Sequence, residues 1–308
     1  MTNVKPPPKH KATIGGYLKR TWMLYAMLIL PAAFFIIFRY VPMVYVWVAF
    51  TDWNLFQPSL WQTPFVGLDW FRHAFALHDF WPAIRNTLTL NVLDLIFGFP
   101  APIILALLLN ELKFKFFKRF AQTVLYMPFF ISWVVVGGMA IQLFATNLGM
   151  INQTFDTSIP FMTQPWHWVA TYIGLGIWKS AGFGTIIYLA AISGINPELY
   201  EASDVDGASR FQKIIYVTIP CLMPTIIILL ILNVGSMVGI EFDRPFVLGN
   251  PAVFARADVI STWVFRRAFL NFQYSLATAV SVFQSVINVA LLVTANVLAR
   301  RAGERGLF

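Results

Sequence analysis

Charge is scarce in this chain. Asp, Glu, Lys and Arg make up 12% of its 308 residues, about half the share of an average soluble domain. Hydrophobic residues make up 58% and the mean hydropathy is +0.67. A soluble fold could neither hide that much apolar surface nor coat the remainder with so few charges. A water-soluble globular enzyme, a disordered chain and a fibre are all excluded. Cysteine is nearly absent: Cys221 alone allows no disulfide framework and no cysteine-ligated metal site. No phosphate-binding loop is present, because Gly15-Gly16 and Gly137-Gly138 lack the lysine such a loop needs. HExxH, GxSxG and CxxC are missing as well. The four histidines, His10, His73, His78 and His167, are scattered over a tail and loops and are read as interface or solvated side chains. No catalytic residue, metal site or cofactor is expected in this chain.

What the chain has in quantity is long apolar stretches. A bilayer core takes about 20 mostly apolar residues per helix. Phe120–Phe155 and Ala268–Ala299 carry no charge, nor does Ile214–Ile240. Trp166–Ile192 is interrupted only by Lys179. The predicted architecture is an all-α membrane protein with six transmembrane helices, at 22–50, 88–110, 121–144, 166–192, 214–240 and 274–299. The six helices make one membrane domain, 22–299, between an N-terminal tail, 1–21, and a C-terminal tail, 300–308. The first helix is too long for a cleaved leader and lacks a small-residue cleavage pattern, so it is read as a retained span. The Pro6-Pro7-Pro8 tail is read as disordered.

Lysine and arginine placement sets the orientation. Lys5, Lys9, Lys11, Lys19, Arg20, Lys113, Lys115, Lys118, Arg119, Arg210, Lys213, Arg300, Arg301 and Arg305 fall on one side. Arg72, Arg85, Arg244, Arg256, Arg266 and Arg267 fall on the other. Both termini are therefore expected in the cytoplasm, with residues 51–85 and 147–165 as outer loops. The bias accounts for the net charge of +8 without a nucleic-acid partner.

One loop is informative. Pro197 suits the first turn of a helix, with Glu198 and Glu201 near its positive end. Leu199, Ala202 and Val205 give that helix a small apolar stripe, Asp206-Gly207 signals a turn, and Ala208–Lys213 opens a second helix. A loop helix lying on the membrane and a surface that another molecule approaches closely both fit this pattern.

The run Glu201-Ala202-Ser203, Asp206-Gly207-Ala208 and then Ile219-Pro220 resembles the EAA coupling motif of ABC importer permeases, with serine at Ser203 where the family usually has alanine. Gln122–Val135, Phe99–Ile103 with Leu109-Asn110-Glu111, Ile177-Trp178-Lys179 with Ile187–Ala191, Gln284–Asn288 and Ala295–Arg301 resemble the subgroup that imports oligo- and polysaccharides. The resemblance covers nearly all of the chain beyond residue 20, with the permease core at about 85–298.

It implies a type I importer in a bacterial inner membrane. Such an importer has a second permease subunit, two cytoplasmic ATPase subunits that bind ATP and magnesium, and an external sugar-binding protein. It also implies that Glu201, Ala202, Ser203, Asp206, Gly207, Ala208 and Pro220 belong to the ATPase-coupling loop. Candidates for the substrate pathway are Lys179, Asn233, Ser236, Glu241, Asp243, Gln284 and Asn288. Interhelical hydrogen bonding would equally occupy the three amides. Lys179 and Asp94 stand out as ionisable groups inside spans, for which a structural ion pair or snorkelling of Lys179 are alternatives. Arginines near the outer mouth, Arg244 among them, would suit an acidic sugar or the docking of a binding protein. An ion-coupled secondary transporter is the main rival, and it would need intramembrane carboxylates. A membrane-embedded glycosyl enzyme, or a permease for amino acids or phosphate, is a weaker one.

Overall fold

The computed structural model describes residues 14–56, 59–239, 241–301 and 306. The Pro6-Pro7-Pro8 run and most of the C-terminal tail lie outside the described residues, whereas the predicted tail residues from Ile14 onward are already helical. Helices carry nearly everything. The only pairing of extended backbone among the described residues is an isolated antiparallel bridge between Thr51 and Phe65.

Among the described residues, five helices are long and apolar enough to cross a membrane: Thr21–Phe50, Phe80–Glu111, Pro165–Ser193, Arg210–Gly235 and Tyr274–Arg301. A sixth apolar stretch is a bent pair of helices, a broken span or a re-entrant loop. Lys115–Phe130 and Trp133–Phe144 meet at 101°, so the span predicted at 121–144 is not a straight helix. Its charge-free sequence conceals the break. Pro128 tightens Met127–Phe130 into a 3-10 turn, and Ser132 then caps the next helix by accepting from the Val135 N–H. In lipid every freed backbone group must find a partner inside the protein. One is found here, since the Lys179 Nζ donates to the Phe129 carbonyl at 2.8 Å.

Two other predicted boundaries move. The second span begins at Phe80 rather than at residue 88. Its first two turns are held from the side: Asn86 donates to the Asp258 carbonyl, and the Thr87 hydroxyl accepts from the Ile260 N–H. The predicted outer loop 51–85 therefore also contains a helix, Asp69–Ala76, and the start of a span. The fifth span ends at Gly235 rather than at residue 240. Ser236 donates back to the Leu232 and Asn233 carbonyls, and Val238 is taken over by the last helix. Gln284 donates to the Val238 carbonyl and the Asn288 side chain accepts the Val238 N–H. The chain then turns into a short helix, Asp243–Leu248.

The second and fifth spans share a device. A π turn at Asp94–Gly98 precedes Pro100, and another at Ile214–Thr218 precedes Pro220. The wider turn accommodates a residue that has no N–H to give.

Three buried clusters hold the bundle. Trp133, Trp168 and Tyr172 centre one, Phe80, Trp263 and Leu276 the second, and Ala106, Tyr188 and Leu222 the third. Beside the second, Arg267 donates to Asp79 at 2.8 Å. Burial pushes the Asp79 carboxyl up, but the hydrogen bond and charge of Arg267 outweigh it and hold the group below the usual carboxylate range. The first span is different. It is exposed along most of its length and packs at its far end, where Val48 and Ala49 are buried, against Tyr274–Arg301 and Asp69–Ala76.

Close approach of helices relies on small residues, as is usual in lipid. A Cβ at Gly182 would lie 1.9 Å from the Leu125 carbonyl oxygen, whereas one at Gly138 would meet nothing within 4 Å. Gly182→Leu is expected to separate the bent helix from the fourth span and abolish assembly, while Gly138→Ala leaves the thermal midpoint in detergent unchanged. Equal behaviour of the two variants would contradict this packing.

Candidate functional site

The loop between the fourth and fifth spans forms as a self-contained structure. Asn196 caps the helix Pro197–Val205 by accepting from the Glu198 N–H. The helix ends in a Schellman turn: Ala208 N–H reaches the Ser203 carbonyl and Gly207 N–H the Asp204 carbonyl. Gly207 sits at the left-handed position with φ +74°, which glycine adopts without steric cost. The second helix, Arg210–Lys213, starts two residues later than predicted, at a capping box between Ser209 and Gln212. It runs on through the π turn into the fifth span.

This loop is tied to the bundle and open on its far side. Tyr200 and Thr218 share a hydroxyl–hydroxyl bond of 2.9 Å, and Lys213 pairs with Asp204. Ser203 uses its hydroxyl internally, on the Tyr200 carbonyl. Leu199 is 46% exposed, Val205 89% and Phe211 70%, so the predicted apolar stripe covers none of the chain's own core. A Cβ at Gly207 would meet nothing within 4 Å, so only its φ requires glycine within this chain. Glu201, Ala202 and Asp206 are exposed on the same helix end, and Ala208 is partly covered. Pro220 is exposed at the base of the fifth span.

The candidate pathway residues fall into four groups. Gln284 and Asn288 clamp Val238 and are the interhelical bonds their residue types suggested. Lys179 and Glu241 meet at Trp133: the lysine lies 5.5 Å from the ring centroid and Glu241 accepts the indole N–H at 3.0 Å. Asn233 lines a cavity between the second, fourth and fifth spans, with one N–H given to the Leu229 carbonyl. Ser236 serves only its own helix end, and Asp243 is an exposed residue in the first turn of the short helix.

Sequence reasoning placed Arg244 at the outer mouth and considered Lys179 beside Asp94. In the structure Arg244 is 8% exposed and takes Asp94 itself. Its Nη1 donates to Asp94 Oδ2 at 2.7 Å, and its Nη2 to the Tyr172 carbonyl at 2.6 Å. The guanidinium lies 3.7 Å from the Tyr172 ring centroid and 5.4 Å from that of Trp133. Gly176 makes room for it, since a Cβ there would stand 2.2 Å from Nη2. Asp94, inside an apolar run, was the signal that a buried cation had to be nearby. Nothing in the spacing singled out Arg244 150 residues away.

The chain thus combines a bundle of long apolar helices, an exposed loop helix and a buried polar centre around Arg244. The family described as "Binding-protein-dependent transport system inner membrane component" matches residues 98–304, and this chain belongs to it. Protein LplB of Bacillus subtilis (strain 168) is 38% identical over 295 residues, 94% of this chain and 92% of its own length. The polygalacturonan/rhamnogalacturonan transport system permease protein YteP of the same strain is 37% identical over 289 residues, 92% of this chain and 90% of its own. A chain in the crystal structure of a bacterial ABC transporter involved in the import of the acidic polysaccharide alginate superposes with a TM-score of 0.85. It is 40% identical, and the match covers 94% of this chain and 98% of that one. The protein described here is accordingly a multi-pass permease subunit of an ABC importer, a transporter component and not an enzyme.

Proposed function

We propose that this permease imports an oligosaccharide or a sugar derived from a polysaccharide. An external solute-binding protein delivers the sugar, a second permease subunit completes the pore, and ATPase subunits seated on the 197–213 loop drive the cycle. The observation that carries the reading is that loop helix: its geometry is fixed internally by a cap, a Schellman turn and an ion pair, yet its apolar side chains are left open. The sugar assignment draws on two relatives, one described as a polygalacturonan/rhamnogalacturonan transport permease and one as part of an importer of the acidic polysaccharide alginate. ATP and magnesium belong to the ATPase subunits, because this sequence has no phosphate-binding loop. The lysine and arginine bias puts both termini and the 197–213 loop in the cytoplasm. It turns the helices Asp69–Ala76 and Met150–Thr154 toward the binding protein.

A secondary transporter would require a carboxylate free to take up and release its ion. Asp94 is held by Arg244 instead, which counts against that alternative.

Reporter fusions after residue 155 should read outside and fusions after residue 208 inside; the reverse would overturn the orientation. Gly207→Leu should force the left-handed turn open and set a bulky group on the docking face. We expect the six crossings to fold, the ATPase to be lost from the purified complex, and uptake of labelled sugar to fall at least roughly tenfold, the equivalent of about 1.4 kcal/mol of docking energy. Ser203→Ala should be nearly silent. Retention of the ATPase at a normal uptake rate by Gly207→Leu would remove the loop from the mechanism.

A further inference from the structure

The chain between the fifth and last spans carries a file of aromatic rings. Phe242 and Phe246 stack at 4.7 Å, and Phe265 stands 4.8 Å from Phe242 and 5.3 Å from Phe269. Phe269 is followed by Tyr274 at 6.5 Å, and Tyr274 by Trp53 at 5.3 Å. Trp53 is fixed there because its backbone N–H donates to Ser275 Oγ on the last span. Trp53, Tyr274, Phe269, Phe265 and Phe242 thus follow one another ring to ring. The inner end of the file adjoins Glu241, which holds the Trp133 indole N–H beside Lys179.

Two of the rings are left open. Phe246 is 50% exposed and Phe269 61%, and neither belongs to the three buried clusters. Exposed apolar patches with charges beside them mark contact sites. The backbone departs from regular helix where it presents them. Arg266–Leu270 is a π turn, and the exposed Phe272 has φ +56°, a left-handed conformation that bulky residues rarely adopt. This turn is held on both sides of Phe272, by the Asn271 N–H on the Arg266 carbonyl and the Gln273 N–H on the Arg267 carbonyl. The file faces water and not lipid: Asp243, next to Phe242, is exposed, and a carboxylate against hydrocarbon is costly. Beside Phe246 and Phe265 lies a cleft of about 170 Å³ whose wall also holds Asp258, Thr262 and Arg266. Arg266 gives two of its five N–H groups to Asp258, and its side chain is 33% exposed.

We propose that Phe246, Phe265 and Phe269 form a stacking track on which a sugar chain enters the importer, and that the cleft beside them seats one of its rings. The proposal rests on the carbohydrate reading above and adds to it the residues that take the cargo before it reaches Trp133, Lys179 and Glu241. The face of an aromatic ring is the negative part of its quadrupole, so it attracts the weakly positive C–H face of a pyranose. Such a contact reads the flat face of the sugar and tolerates changes in its substituents. The hydroxyls at the edge of the sugar need polar partners, and Asp258 and Arg266 stand in the same wall as the aromatic rings. Aromatic walls with a few placed polar groups are the usual make-up of a small-molecule site. A protein surface is the competing occupant. A docking protein calls for a broad patch, whereas these rings form a line that runs inward to polar groups inside the bundle.

The test is equilibrium binding of tetragalacturonate and digalacturonate to the purified complex of permeases and ATPases, without its binding protein. A file of rings touches more of the longer chain, so the tetramer should bind more tightly than the dimer. Phe269→Leu keeps apolar bulk at an exposed position but loses the flat face. It should lower the affinity for the tetramer roughly fivefold and narrow its advantage over the dimer. Phe246→Leu should do the same, whereas Phe269→Trp, which keeps a flat face, should bind as the natural complex does. Unchanged tetramer affinity in both leucine variants, equal affinities of the two sugars for the natural complex, or no binding of either would each overturn the proposal. Loss of the second permease subunit from the Phe269→Leu complex would overturn it too, because the rings would then be a subunit contact. Failure of the carbohydrate reading looks different: the complete importer, with binding protein and ATPases, would take up neither sugar. An importer that takes up both, with the leucine variants binding normally, would contradict only the track.

Discussion

The structure depends on a single buried cation. A guanidinium at mid-bundle is among the more expensive groups a membrane protein can hold, and Arg244 is tolerated because three elements converge on it. The second span offers Asp94 from its π turn, the fourth offers the Tyr172 carbonyl and ring, Gly176 clears the space, and Trp133 covers one face. Arg244 in turn fixes the short helix Asp243–Leu248, so the chain leaving the fifth span is drawn back into the bundle. Trp133 carries the constraint onward. It opens the second arm of the bent crossing, and its indole N–H is held by Glu241, three residues before Arg244.

Around that centre the loop helix is joined to the cavity wall through one continuous stretch of helix. Tyr200 bonds to Thr218 inside the π turn of the fifth span, and the helix that follows runs unbroken to Asn233 on the cavity wall. The loop is thus fastened to backbone that already departs from an ideal helix. The clamp of Gln284 and Asn288 on Val238 anchors the far end of the same helix to the last span.

Much of this was legible in the residues. Apolar run lengths located five of the six crossings within a few residues at most ends, and Pro197, Asp206-Gly207 and Pro220 marked the loop because each answers a local backbone need. The misses share a cause: absence of charge does not report helix continuity. Phe120–Phe155 has no charge and still turns through 101° at Ile131-Ser132. Pro128 and Ser132 were the local signals, outweighed by hydropathy. Arg85 hid the first turns of the second span, which depend on Asn86 and Thr87 meeting Asp258 and Ile260 more than 170 residues away. Long-range polar pairs of this kind leave no periodic trace. The same is true of Asp94, for which Lys179 was considered as a partner because both lay in spans, and which Arg244 holds instead.

The central claim is that Asp94 and Arg244 act as one structural unit, and a double-mutant cycle on assembly tests it most directly. Asp94→Leu alone leaves a buried cation, and Arg244→Met alone leaves a buried carboxylate. Each should cost about 3–5 kcal/mol and deplete the assembled complex, whereas the double variant, apolar on both sides, should assemble nearly as well as the natural chain. Single variants that assemble normally, or a double variant as damaged as the two singles combined, would show that the pair does not hold the bundle together.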